Sequence, residues 1–400
     1  MASIINAATS GGLISTADTS GVLQLQTAGT TAVTVDASQN VTFANSASLP
    51  NTFGFKNRII NGDMRIDQRN VGASVTPTNG QYTLDRWVGY GSVVSKYSIQ
   101  QNAGSVTPPA GFTNYLGVTS LSAYSITAGD YFLFRQMIEG FNSADLAWGT
   151  ASAKSVTLSF YVYSSLTGTF GGGLGNSTNG RTYPFSYSIP TANTWTQISV
   201  TIAGDTSGTW VTNNGIGIQV GFGLGVGSTY SGTAGAWSSS AYLSATGAVS
   251  VVGTSGATLY ITGVQLEKGS TATSFDVRDF GRELIMCQRY FEKSYDITTA
   301  IATSTADGLT YAGVGSGLVP NNYGFMTLVF TITKRSSPTM KIYSRSGTLN
   351  QVSNGDQNDY GTVNAQNIGM RSAIVVNGTG SNLSPSAGMT CAHFTADSEL

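Results

Sequence analysis

Apolar residues in this chain recur at every second position over short runs, and almost nowhere at helical spacing. Along residues 155–163, Val156, Leu158, Phe160 and Val162 fall on one side, with Ser155, Thr157, Ser159, Tyr161 and Tyr163 on the other. Ile198, Val200 and Ile202 repeat the pattern beside Trp195, and Ile216, Ile218, Val220 and Phe222 repeat it across Gly217, Gln219 and Gly221. Successive side chains of a strand point to opposite faces of its sheet, so each run reads as a strand with one wet face. Many such strands between Gly-rich turns predict antiparallel sheets stacked face to face, a β-sandwich or jelly roll. The glycine-rich stretches 171–180 and 221–235 are expected to connect strands. Neither leads from a strand into a helix, as a phosphate-cradling loop must.

Two runs delimit the sandwich. Residues 56–68, K-N-R-I-I-N-G-D-M-R-I-D-Q, predict an opening strand with Ile60, Met64 and Ile66 on one face and Asn61, Asp63, Arg65 and Asp67 on the other. Residues 259–267, L-Y-I-T-G-V-Q-L-E, predict the closing strand. The body therefore spans 53–279. Before it, in 1–52, Leu23 and Leu25, Val33 and Val35, and Val41 and Phe43 alternate with polar residues, predicting a meander of three short strands. So small a sheet cannot bury a core alone, and packing against identical copies would supply one, which predicts a homo-oligomer. After the body, 282–293 fits either a helix or a strand. Runs at 325–333, 340–343, 372–376 and 389–394 then predict a smaller antiparallel β domain over 280–400. The expected class is all-β throughout.

Composition restricts function. Nineteen basic residues against twenty acidic ones leave no field to attract phosphates, so nucleic acid is not an expected partner. No apolar run reaches the ~18 residues of a membrane helix, and Met1 to Asn6 lack the pattern of a signal peptide, so membrane insertion is not expected and synthesis in a cytoplasm is. Cys287 and Cys391 read as buried thiols; the single histidine, His393, would share a strand face with Cys391, a spacing open to a Cys-His pair, and a terminal strand packed in an oligomer tip is the expected reading. Asp63, Asp67, Asp85, Asp130, Glu139, Asp145, Asp205 and Glu267 sit where strand ends and turns use acids for capping and pairing. No catalytic residue and no enzyme activity are expected. Sugar binding needs aromatic faces with amides or carboxylates beside them. Trp210, Tyr230, Trp237 and Tyr242, in or beside Gly/Ser/Thr-rich loops, are candidates, with Tyr311, Tyr323 and Tyr360 in the last segment. Trp87, Phe132, Phe134, Trp148 and Trp195 are assigned to the core.

Several of these stretches carry a resemblance. The N-terminal I-N-A-A-T-S-G-G-L-I-S-T-A-D-T-S-G-V-L-Q-L-Q-T, K-N-R-I-I-N-G-D-M, Y-T-L-D-R-W (82–87), V-Q-L-E-K-G-S-T-A-T-S-F (264–275), C-Q-R-Y-F-E-K (287–293), K-R-S-S-P-T (334–339) and A-D-S-E-L (396–400) resemble tailed-bacteriophage tail-fibre and related virion-fibre proteins. The central block also looks like a carbohydrate-binding-module jelly roll, with Met64 where Phe is commoner. The resemblance implies a homotrimeric virion fibre, assembled in the host cytoplasm. Its N-terminal segment would attach to tail, baseplate or neck proteins, and its distal domains to host surface polysaccharide. It also implies a structural calcium between opening and closing strands, with Asp63 and Glu267 as ligands, and no other cofactor. A head or neck fibre without a receptor role, and a depolymerising tailspike, are the alternatives.

Overall fold

The computed structural model describes residues 3–8, 12–16, 19–44, 55–313, 324–354, 358–378 and 389–400. The chain divides into two compact units, Met1–Gly54 and Phe55–Leu400. The first holds one five-stranded sheet in the order Gly12–Thr16, Ser3–Ala8, Leu23–Thr27, Thr30–Val35, Val41–Phe43. The expected meander is its last three strands. Two more precede them, and Ser3–Ala8 runs parallel to Leu23–Thr27. Register sets Leu23 opposite Val35, Leu25 opposite Val33, and Val33 and Val35 opposite Phe43 and Val41. Directly opposed residues share a face, so the apolar side chains form one continuous surface. Leu25, Val41 and Phe43 on it remain 40%, 55% and 43% exposed.

The second unit begins with the sandwich. Its six-stranded sheet runs Thr182–Ile189, Gly168–Gly175, Ile216–Val226, Tyr131–Glu139, Trp87–Gly91, Gln81–Leu84. The facing five-stranded sheet runs Thr196–Ile202, Val156–Ser164, Thr258–Lys268, Leu116–Ser120, Tyr97–Gln101. Every pairing within both is antiparallel. The alternation is obeyed: Val156, Leu158, Phe160 and Val162 turn inward to meet Phe132, Phe134, Phe222 and Leu224 in one core. The Phe160 and Phe222 rings meet edge to face at 5.1 Å. The predicted closing strand is the central strand of the five-stranded sheet.

Residues 56–68 form no strand, contrary to the alternation. Asn61 and Met64 take left-handed backbone, with φ of 56° and 59°, which breaks the pleat. Both faces are buried, Ile59 and Met64 in the sandwich core and Ile60 and Ile66 in a second cluster with Cys287 and Tyr290. Side chains replace the missing ladder. Asn61 Oδ1 accepts from Ile66 N at 2.9 Å, and the Gln136 amide both donates to and accepts from the Ile60 backbone at 2.8 Å.

The stretch 282–293 is both alternatives in turn. A helix, Phe280–Gln288, is N-capped by Asp279, which accepts from Arg282 N at 2.9 Å, and the strand Phe291–Lys293 follows. That strand pairs with Met389–Asp397, which also pairs with Thr339–Tyr343, Thr310–Gly313 and Val352–Asn354. A three-stranded sheet, Gly324–Val329, Ser372–Asn377 and Val363–Gln366, shares its core through Leu328, Ile342, Val375 and Phe394. Residues of four of the quoted motifs, 82–87, 287–293, 334–339 and 396–400, meet where this part joins the sandwich. Arg86 of D-R-W is fully buried, pairs with Glu399 and stacks at 3.5 Å over Tyr290. Arg289 meets Glu139 at 2.6 Å, and Arg335 donates to Ser398 O at 2.8 Å and Glu399 O at 2.7 Å. Those motifs therefore serve the junction.

Candidate glycan cleft

Of the glycine-rich stretches expected as connections, residues 176–180 do turn between two strands, but 171–175 and 221–226 are strand, within Gly168–Gly175 and Ile216–Val226, which lie side by side in the six-stranded sheet. Their glycines occupy outward positions because another segment of chain lies over them. A methyl group at Gly171 would stand 2.4 Å from Ser244 Oγ, at Gly223 2.9 Å from the same atom, and at Gly173 3.1 Å from Leu243 O. Residues 230–249 thus cross the outer face as a strap. Ser231–Gly232 pairs with Ser244–Ala245, Ser238 and Thr182 exchange backbone hydrogen bonds at 2.8 and 2.9 Å, and Val249 N donates to Thr169 O at 2.8 Å.

Beside the strap lies a shallow recess, lined by Arg135, Gln219, Asn179, Tyr242 and Leu243 over a floor of Gly173, Gly175 and Gly221, with about 10 Å³ open to a water-sized sphere. That is room for about one water, so a larger ligand would lie across its mouth. Gln219 is 5% exposed. Its Nε2 donates to Asn176 O at 2.7 Å and Asn179 Oδ1 at 3.2 Å, while its buried Oε1 has no partner. Arg135 lies on the neighbouring strand, stacked at 3.8 Å over the Tyr90 ring, and its buried Nε is also unpartnered. Leaving a buried polar atom unmade costs ~1–3 kcal/mol. The lining of the recess therefore contains an acceptor and a donor that the rest of the chain leaves unsatisfied.

Sequence reasoning did not single out Arg135, Gln219 or Asn179. A signal existed: Arg135 is the one cation within Y-F-L-F-R-Q-M-I-E, at an outward position. Of the aromatic candidates only Tyr242 lines this cleft. Trp210 and Trp237 join Trp148 at one end of the sandwich, with ring centroids 4.7, 5.3 and 5.5 Å apart in edge-to-face contact. A small depression of about 20 Å³ lies beside Trp148 and Trp210, but the indole N–H groups are spent internally. Trp210 donates to Asp205 at 3.3 Å and Ser207 O at 3.2 Å, and Trp237 to Ala203 O at 2.8 Å. Tyr230 packs on Tyr131 at 5.6 Å. Tyr311 is 52% exposed in the C-terminal sheet, and the Tyr360 hydroxyl is bonded to that of Thr390. Tyr323 lies outside the described residues. Trp195 is not in the main core but on the outer side of the five-stranded sheet, against Tyr115 and Tyr163.

Asp63 is paired with Arg65. Glu267 accepts from Thr273 N at 2.8 Å, Thr273 Oγ1 at 2.7 Å and Gln265 Nε2 at 2.9 Å. Among the described residues no three His, Cys, Asp or Glu side chains gather to hold a metal. Glu267 is thus fully engaged by protein donors, whereas the buried Oδ1 of Asp63 has no hydrogen-bond partner. His393 is buried and stacked on Tyr295 at 3.8 Å, with Nδ1 3.1 Å from Ser294 Oγ and Nε2 3.2 Å from Thr305 O. Burial lowers its pKa.

No family model matches the chain, and no curated protein does. Among solved structures the chain is similar to the enzymatically active domain of tailspike protein 4 from bacteriophage CBA120, with TM-score 0.30 and 13% identity. The alignment spans 53% of this chain and 21% of that one. It is also similar to the family 11 carbohydrate-binding module of Clostridium thermocellum bound to a mixed-linked tetrasaccharide, with TM-score 0.27, 14% identity, and 50% and 98% coverage. A family 61 module bound to β-1,4-galactotriose aligns with TM-score 0.25, 10% identity, and 46% and 88% coverage.

Proposed function

We propose that the chain is a non-enzymatic virion-fibre protein of a tailed phage that adheres to host surface polysaccharide, and that the cleft beside residues 230–249 is its glycan site. The observation that carries the site is the pair of shielded, unpartnered polar atoms, Gln219 Oε1 and Arg135 Nε, above a floor of bare backbone. Sugar hydroxyls donate and accept at once, so a chain end across the mouth of the recess can meet the Arg135 guanidinium and reach Gln219 through one water. The apolar face of the N-terminal sheet supports the homotrimer, with three copies closing that face against one another. Three weak sites per fibre then act by avidity. The fibre class itself rests on the motif resemblance.

The test is binding of the full chain to an array of bacterial surface polysaccharides, with Gly221→Val as the blocked variant. A Cβ there meets Leu133 Cδ1 at 3.1 Å and Arg135 Cβ at 3.5 Å, so the variant fills the floor, and circular dichroism and the melting temperature report that it is folded. Binding should weaken by about tenfold or more, that is about 1.4 kcal/mol, at an unchanged melting temperature. Undiminished binding would remove the cleft from the proposal. Release of shortened oligosaccharides from a bound polymer would make the protein an enzyme instead.

A further inference from the structure

Building on that glycan reading, we infer that the cleft selects an acidic sugar, a residue bearing one carboxylate among its hydroxyls, with Arg135 as the group that recognises the charge. Seven other arginines, among them Arg58, Arg86, Arg181 and Arg289, meet a carboxylate of this chain. Arg135 meets none among the described residues, and of the residues lining the cleft it alone carries a charge. The nearest outward acid on its own strand, Glu139, is taken up by Arg289 at 2.6 Å and by the Tyr290 hydroxyl at 2.6 Å. A half-buried guanidinium with no counter-ion, held flat on Tyr90, offers a planar fork of donors that matches a carboxylate. A single positive charge balances a single negative one. A phosphate monoester dianion would leave one charge uncompensated where no second cation lines the cleft. The Gln219 carbonyl, acceptor only, repels a carboxylate and takes a hydroxyl instead. The two groups together therefore orient a hydroxy acid of the uronic type.

The experiment compares uronate polysaccharides, such as alginate and polygalacturonate, with their carboxyl-reduced counterparts and with neutral polysaccharides, against the full chain. A hydrogen bond to a charged partner is worth enough to expect about tenfold or greater preference for an acidic form, shrinking as salt is raised. Arg135→Gln should erase the preference and leave residual neutral binding. Arg135→Lys, which keeps charge but loses the fork and the stacking, should retain a reduced preference. Gln219→Ala should weaken acidic and neutral ligands alike. Neutral or reduced polymers binding as well as acidic ones, or a preference that survives Arg135→Gln, would overturn the acidic-sugar inference and leave the glycan site standing. Binding of no glycan of either kind would overturn both.

Discussion

Asp130 illustrates how few acids here are idle. Its carboxylate accepts from Thr127 N, Thr127 Oγ1 and Ser92 Oγ, each at 2.8 Å, and from the Tyr124 hydroxyl at 3.1 Å. The Thr127 amide and hydroxyl, ahead of the others, hold its pKa down at about 2. A carboxyl depressed on folding contributes stability that is present above its unfolded pKa of ~4 and lost as pH falls through the folded value. Urea midpoints measured between pH 5 and 2 should therefore fall steeply over the last two units. Asp130→Asn should start lower at pH 5 and flatten that slope, and an unchanged slope would mean Asp130 is not the group responsible. Turn and strand-end acids were legible in the sequence as caps and ion-pair partners, and Asp130 and Asp145 are such. The unpartnered atoms of Gln219 and Arg135 were not. Period-two alternation says that a polar residue faces outward, but not whether a neighbouring segment later shields it from water.

At the scale of elements, alternation worked wherever one face of a strand met the core, as in Val156–Ser164 and Ile216–Val226. It failed for residues 56–68 because both faces are buried there and two left-handed residues carry the backbone through a turn. Reading glycine as a connection missed the strand residues 171–175 and 221–226, where the absent side chains reflect a strap lying overhead rather than a bend. Gly171→Val tests that account. Its Cβ would lie 2.4 Å from Ser244 Oγ and 2.9 Å from Ala245 N, so the strap must lift, at a cost of about 1–3 kcal/mol. Limited proteolysis should cut within 230–249 in the variant and spare the wild type. The junction makes a sharper case. Glu399 pairs with Arg86, and their side chains are 4% and 0% exposed. Glu399→Ala would leave a buried guanidinium without its carboxylate, and breaking such a pair costs about 3–5 kcal/mol. Equilibrium urea unfolding should show a loss of that size, while a loss below ~1 kcal/mol would mean that water reaches Arg86.

For the whole molecule the decisive question is where the N-terminal sheet finds a second layer. A sheet needs its apolar face covered, yet Leu25, Val41 and Phe43 stay 40%, 55% and 43% exposed in the single chain. Across the last three strands their opposite face carries Gln24, Gln26, Thr31 and Thr34, with Gln24 Oε1 accepting from Gln26 Nε2 at 3.3 Å and from Thr31 Oγ1 at 3.4 Å, while Ile4 of the neighbouring strand, opposite Gln24, also lies on that side. Three copies meeting on the apolar side would withdraw it from water, at ~25 cal/mol per Å² buried. That gain grows with concentration, as any association does. Sedimentation equilibrium at micromolar concentration should return three times the 41.5 kDa of the chain. Leu25→Asp combined with Val41→Asp should return one, because three or more carboxylates cannot be buried at a shared axis without partners. The unit 55–400 has its own cores and should melt unchanged in that variant. Polysaccharide binding would then weaken through lost avidity while the affinity of each cleft for a short oligosaccharide stayed the same. A wild-type chain that sediments as a monomer would end the trimer reading, and a double variant that still sediments at the wild-type mass would move the contact to another surface.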